Sequence, residues 1–257
     1  MPRWLWLPAV AAYALVALPV VGLVLEADWA RMPELLLSRS ALTALRLSLE
    51  TAGISTLLCV LLGGPLAAVL ARGRPPGLRM LRSLVLLPLV LPPVVGGLAL
   101  LFTVGRTGWI GRTLDLWFGI SIPFTTAAVI LAQTFVAMPF LVVSLEGALR
   151  TAGQRYESVA ATLGASPATV FRRVTVPLVL PGLVSGAVLA FARAMGEFGA
   201  TIAFAGSLEG TTRTLPLLVY QEREVDVESA IAISLMIVLV SLLVIIVVRP
   251  RAAEGLR

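Results

Sequence analysis

Apolar positions in this chain run in long blocks, without the alternation of a strand or the one-sided stripe of a surface helix. Six blocks reach the length of about 20 residues that an α-helix needs to cross about 30 Å of hydrocarbon. They are 4–25, 42–70, 84–104, 124–145, 178–204 and 230–248. The pattern predicts an all-α polytopic membrane protein with six transmembrane helices, a single transmembrane domain over 1–257. The first block exceeds the roughly 7–15 residues of a signal-peptide core, and Glu26-Ala27-Asp28-Trp29-Ala30 makes a poor cleavage site, so a retained anchor is expected. Gly63-Gly64-Pro65 interrupts the second block, and Pro88, Pro92, Pro93, Gly96 and Gly97 interrupt the third. Backbone groups freed at such breaks find no partner in lipid. Two consequences stay open: close helix packing through small residues, or a transport pathway lined by broken helices.

Composition narrows the chemistry. The chain is 58% hydrophobic and 13% charged with mean hydropathy +0.98, outside the range of soluble domains. All 20 basic residues are arginine, and histidine is absent. A phosphate-binding lysine loop, a Schiff-base lysine and a histidine metal ligand are therefore excluded. The one cysteine, Cys59, lies within an apolar block and carries no disulfide expectation. A pI near 10.9 would suggest nucleic acid in a soluble protein, but these arginines sit between apolar blocks, where they set topology. Twelve fall on one side of the predicted membrane (Arg3, Arg72, Arg74, Arg79, Arg82, Arg150, Arg155, Arg172, Arg173, Arg249, Arg251, Arg257) and six on the other. Both termini are expected in the cytoplasm.

The cytoplasmic connection 146–177 is long and has a pattern of its own. Tyr156, Val159, Ala160 and Leu163, then Val170, Phe171 and Val174, suit the apolar faces of two short helices. Gly164 suits a left-handed helix end, Ser166 an N-cap and Pro167 a first helical turn. A helix–turn–helix is predicted, with an interfacial helix lying on lipid as the alternative.

Gly164, followed after nine residues by Val174-Thr175-Val176-Pro177, resembles the EAA loop of ABC-transporter permeases, which reads Glu-Ala-Ala, three residues, Gly, nine residues, Ile-x-Leu-Pro. Ser158-Val159-Ala160 occupies the Glu-Ala-Ala positions, with the acid one residue early at Glu157. The resemblance implies the type I ABC importer permease fold and a coupling helix that docks on a cytoplasmic ATPase. It implies coupling roles for Glu157, Ser158, Ala160, Gly164, Ala165, Pro167 and Phe171, and the displaced Glu157 leaves the identity of the acidic contact open. The segment Phe191-Ala192-Arg193-Ala194-Met195-Gly196-Glu197-Phe198-Gly199-Ala200-Thr201 is similar to one shared by sulfate and molybdate permeases. With Phe204-Ala205-Gly206 and Thr212-Arg213-Thr214-Leu215-Pro216-Leu217, it is closer to the molybdate/tungstate branch. A permease subunit for molybdate or tungstate is thus implied, with sulfate or thiosulfate as the alternative. Implied partners are two cytoplasmic ABC ATPase subunits, a periplasmic or lipid-anchored oxyanion-binding protein, a second copy of the chain and the lipid of the inner membrane.

Arg193 and Glu197, at i and i+4, are the ionisable pair deep in a span, on one face of the predicted helix. Either they neutralise each other structurally, or Arg193 offers transient positive potential to a dianion while Glu197 keeps binding weak enough for release. Thr201, Arg213 and Thr214 are further candidates for the substrate pathway. No nucleophile–base set, metal cluster or cofactor motif stands out, so a non-catalytic membrane subunit is expected, with ATP hydrolysis in a partner. An ion-coupled secondary carrier would want inverted repeats and more intramembrane acids. A membrane scaffold using the same loop is the remaining rival.

Overall fold

The computed structural model describes residues 2–73 and 76–254. Arg74 and Arg257, two arginines of the orientation count, lie outside these residues, as do the side chains of Arg3, Arg249 and Arg251. In chain order the helices are α1 (Trp6–Leu25), α2 (Met32–Leu36), α3 (Arg39–Leu58), α4 (Gly64–Arg72), α5 (Leu78–Val90), α6 (Pro93–Val104) and α7 (Trp109–Phe118). They continue with α8 (Thr126–Ala152), α9 (Arg155–Thr162), α10 (Pro167–Val170), α11 (Val176–Met195), α12 (Gly199–Ala205), α13 (Leu215–Val225) and α14 (Val227–Glu254). No strand occurs among the described residues.

Short polar residues start the helices that matter most. The Ser38 side chain accepts from the Ala41 amide at 3.3 Å and opens α3, while Thr125 does the same for α8 through Ala128 at 3.3 Å. Single π turns, Cys59–Gly63 and Phe171–Thr175, join α3 to α4 and α10 to α11 without a break. Arg39–Arg72 and Pro167–Met195 are therefore long continuous helices.

The expected spans at 4–25, 42–70, 124–145 and 230–248 each fall on one such rod. The interruption expected in block 84–104 takes the form of a sharp bend, with α5 and α6 meeting at 116°. Leu91 and Pro92 are extended there, and Pro92-Pro93 supplies no amide to continue the ladder. Among the described residues five helices are long and apolar enough to cross a membrane, and the bent pair makes a sixth. Block 178–204 also stops early: α11 ends at Met195, and after Gly196-Glu197-Phe198 the chain restarts as α12.

The core centres on α8, which packs antiparallel against α11 through small residues. A Cβ on Gly182 would stand 2.3 Å from the Ala148 Cβ, and one on Gly186 would stand 3.1 Å from the Ser144 Cβ. The Ser144 hydroxyl donates to the Gly182 carbonyl at 3.1 Å, so the Gly182-x-x-x-Gly186 face brings the two backbones together. Ala190, Ala194 and Met195 extend the seam to Ala41, Ala44 and Ala52 of α3 and to Leu215 and Leu218 of α13. At the other end of the break, α12 lies on α6, where a Cβ on Gly97 would meet the Ala200 carbonyl oxygen at 2.6 Å. Gly96 and Gly97 of α6 thus allow close packing, against the Phe135 ring and the α12 backbone. Helix α1 has no buried residue and rides on the outside of the bundle.

Candidate functional site

Two regions collect the candidate residues: the α9–α10 corner and the break between α11 and α12. At the corner, Gly164 takes φ +81, a left-handed conformation that ends α9 without the strain a Cβ would bring. The Ser166 side chain accepts from the Thr169 amide at 3.3 Å, and Pro167 fills the first turn of α10. The helix–turn–helix forms as the residue pattern predicts. Its second arm is no separate helix, because α10 runs through the π turn into α11. Its first boundary also moves: α8 continues to Ala152, and Glu146 is buried within it, bound by Arg82 and by Arg150 Nε at 2.9 Å.

The apolar residues of α9 find nothing to cover them in this chain. Tyr156 is 62% exposed, Val159 53% and Leu163 82%. Phe171 stands out at 57% on the neighbouring π turn. Ser158 is exposed, while Ala160 and Ala165 are half-buried. A groove of about 460 Å³ between α9 and α10 is bordered by Ser158, Ala161, Ala165 and Pro167, with Glu157 at its inner edge. Exposed apolar side chains beside a groove on a short, well-capped corner form a surface suited to a protein partner.

Glu157 faces inward. Its Oε1 accepts from Arg72 Nη1 at 2.5 Å and from the Thr175 hydroxyl, and its side chain is only 15% exposed. The sequence offers Arg72 only as a topology charge and Thr175 only as part of a motif, and no spacing rule links positions 72, 157 and 175.

At the break, Arg193 Nη1 lies 2.5 Å from Glu197 Oε2. The two do not share a helix face, since α11 has already ended at Met195 and Glu197 lies in the turn. Glu197 is 1% exposed, and its Oε1 accepts from the Ala200 amide at 2.8 Å, so the carboxylate caps α12 while it neutralises Arg193. Thr201 follows one helical turn later, fully buried. Arg213 and Thr214 lie apart from this pair, in the loop before α13. Arg213 Nε donates to the Ser207 hydroxyl at 3.2 Å and Nη2 to the Ser207 carbonyl at 3.4 Å, so most of its donors brace its own loop. Thr214 is buried where α13 begins, next to Leu215, whose amide donates to the Ser48 hydroxyl at 2.8 Å.

Buried polar side chains outside the predicted set continue this region. The Ser55 hydroxyl of α3 reaches the Ile130 carbonyl at 3.0 Å and Gln133 Oε1 at 3.2 Å. Gln133 Nε2 and the hydroxyls of Thr201 and Thr214 have no partner among the described residues. The register of α8 against α11, with Gly186 opposite Ser144, carries Gln133 to the level of the helix break. Gln133 is visible in the sequence as an amide in the middle of an apolar block, a signal that the apolar pattern alone passes over. No group of three or more metal-ligating side chains occurs among the described residues.

Comparison with known proteins fits this geometry. The chain is 59% identical to the molybdenum transport system permease protein ModB of Mycobacterium tuberculosis over 255 residues, 99% of this chain and 96% of that protein. It is 44% identical to the ModB of Escherichia coli K12 over 177 residues, 69% of this chain and 77% of that one. Among solved structures, a bacterial ABC transporter involved in the import of the acidic polysaccharide alginate superposes with TM-score 0.75 at 16% identity, covering 97% of this chain and 94% of its own. Residues 60–249 match the family described as "Binding-protein-dependent transport system inner membrane component". With its all-α, multi-pass architecture and the type I ABC importer permease fold, the chain belongs to that family of transport-system membrane components.

Proposed function

We propose that the chain is the permease subunit of an ATP-driven importer of molybdate, with tungstate taken by the same route. The observation that carries the reading is the 59% identity to a ModB over nearly the whole of both chains. The uncovered apolar row of Tyr156, Val159 and Leu163 supports a separate cytoplasmic ATPase as the motor, docked on α9 and the α9–α10 groove. Ser158, Ala160, Gly164, Ala165, Pro167 and Phe171 shape that face. The absence of lysine from the sequence supports the same division of labour, because a phosphate-binding loop needs one. A binding protein delivers the anion on the other side, and two copies of the chain form the pathway between them. Both termini then lie in the cytoplasm with the arginine-rich connections.

In this reading Arg193 gives the pathway its positive potential. Its side chain is 26% exposed, whereas Glu197 is enclosed, so the guanidinium is the part of the pair an oxyanion can approach. Glu197 holds the net charge near zero and prevents the site from becoming a trap. Thr201 and Thr214, buried inside the protomer, line the wall behind this surface and do not face it, and Arg213 stiffens the loop at the entrance.

The test is ATP-dependent uptake of molybdate into proteoliposomes holding the chain, its ATPase and its binding protein. Equimolar tungstate should block uptake, and excess sulfate should leave it unchanged. Equal competition by sulfate would move the subunit to the sulfate branch. Absence of anion uptake would overturn the substrate assignment.

A further inference from the structure

We propose that Glu157 is a positioning residue of the coupling step, acting through Arg72 and Thr175 and not by touching the ATPase; the inference rests on the importer reading above. One carboxylate oxygen gathers three elements. Glu157 belongs to α9, Arg72 is the last residue of α4, and Thr175 closes the π turn at the foot of α11. Arg72 Nη2 also points at the Gly153 carbonyl, 3.5 Å away, where α8 ends. The Arg72 and Glu157 side chains are 21% and 15% exposed, so this charge-assisted bond is largely shielded from water and stronger than a surface pair.

The two faces of α9 divide the work. Tyr156, Val159 and Leu163 point outward, ready for a partner, and Glu157 points inward to the membrane helices. A displacement imposed on the outer face passes to α4 and α11 through a single carboxylate. The helices it reaches are jointed. Both π turns border one cavity of about 480 Å³, Val60 from the first and Phe171 and Thr175 from the second, with Arg72 at its edge. A π turn interrupts the regular hydrogen-bond ladder of its helix, so it is the place where that helix can flex. The cavity leaves space for the side chains that such flexing moves. Arg72 and Thr175 are thereby set as the two levers of the coupling helix.

The experiment measures ATP hydrolysed per molybdate imported by the full complex in proteoliposomes. Glu157→Gln and Arg72→Gln should each raise this ratio about fivefold or more, the lower end of ordinary coupling between sites. The ATPase should still co-purify with both variants. The reversed pair Arg72→Glu/Glu157→Arg should return toward the wild-type ratio, and Thr175→Val, which puts a methyl in place of the hydroxyl, should raise the ratio less than either single variant. Loss of the ATPase from Glu157→Gln alone would make Glu157 a docking contact and overturn the proposal. An unchanged ratio in both single variants, or no recovery in the reversed pair, would overturn it equally.

A wild-type complex that carried no molybdate would defeat the importer reading without deciding the link, so a second measurement avoids the anion. Nitroxide labels go on exposed Val69 of α4 and exposed Thr162 of α9, outside the lining of the α9–α10 groove, with Cys59 fully buried and out of reach of the label. The link predicts one narrow distance, constant with and without ATP, that broadens in Glu157→Gln. Equal breadth in wild type and variant would overturn it.

Discussion

The molecule is tied by two arginine–glutamate pairs that do opposite kinds of work. Arg193 and Glu197 are four residues apart, and their pair fixes a local feature, the turn where α11 gives way to α12. Arg72 and Glu157 are 85 residues apart, and their pair fixes the position of one element against another. The first is almost sealed from water on its acidic side, so removing one partner strands a charge in a medium that cannot solvate it. The second lies beside the exposed α9–α10 corner, where neither partner is sealed and a freed one can turn toward water. Loss of the inner pair should therefore be felt as instability. Loss of the outer pair should be felt as wasted ATP in a protein that still assembles.

The sharpest way to break the coupling side is Gly164→Pro. Gly164 needs φ +81, whereas proline is held near −65°, so the turn between α9 and α10 cannot form. Anion uptake should be abolished, with ATP hydrolysis by the complex continuing and no longer responding to the loaded binding protein. Normal uptake in this variant would remove the corner from the coupling path.

The inner pair is tested by Arg193→Ala, which leaves the Glu197 carboxylate, 1% exposed, without its counter-charge. The destabilisation should be about 3–5 kcal/mol, read as a fall in the thermal unfolding temperature of the purified subunit. Adding Glu197→Ala to that variant should recover most of the loss, because no charge is then left buried. Uptake divides the two roles of the arginine. If the double variant regains uptake together with stability, the pair is structural, and if stability returns but uptake does not, Arg193 serves the anion.

The same contrast explains what the sequence makes legible. Blocks of about 20 apolar residues identify the straight spans because length and hydrocarbon thickness are linked by helix rise alone. The α9–α10 turn is legible because Gly164, Ser166 and Pro167 each satisfy a local backbone need. The Arg193–Glu197 contact is legible from its spacing, although the helix ends between its partners, since the side chains still meet across the turn. Two things are not legible. The bend at Leu91–Pro92 carries strong local signals, yet what packs there, Gly97 against Ala200 more than 100 residues on, is set by the fold and not by those signals. The Arg72–Glu157–Thr175 contact depends on where four helices end in space, and nothing within 85 residues of sequence encodes it. Glu157 therefore looks like a displaced acid on an outer face until the fold turns it inward.

Arg213 gives the smallest and finest test, because it stands outside both pairs. Its two contacts to Ser207 brace the loop, and its third, to Glu209 Oε2 at 3.5 Å, ends on an exposed carboxylate. An exposed arm of this kind is worth at most about 1 kcal/mol, so Arg213→Gln, which keeps a donor for Ser207, should change the apparent KM for uptake by less than about fivefold. A charge that only stiffens a loop should also leave the salt dependence of uptake unchanged. A larger rise in KM that shrinks as salt is added would mean that the guanidinium attracts the anion directly, since long-range attraction is what ionic strength screens. Positive potential at the entrance would then be shared between Arg213 and Arg193, and the inner pair would no longer account alone for how a dianion enters an apolar bundle.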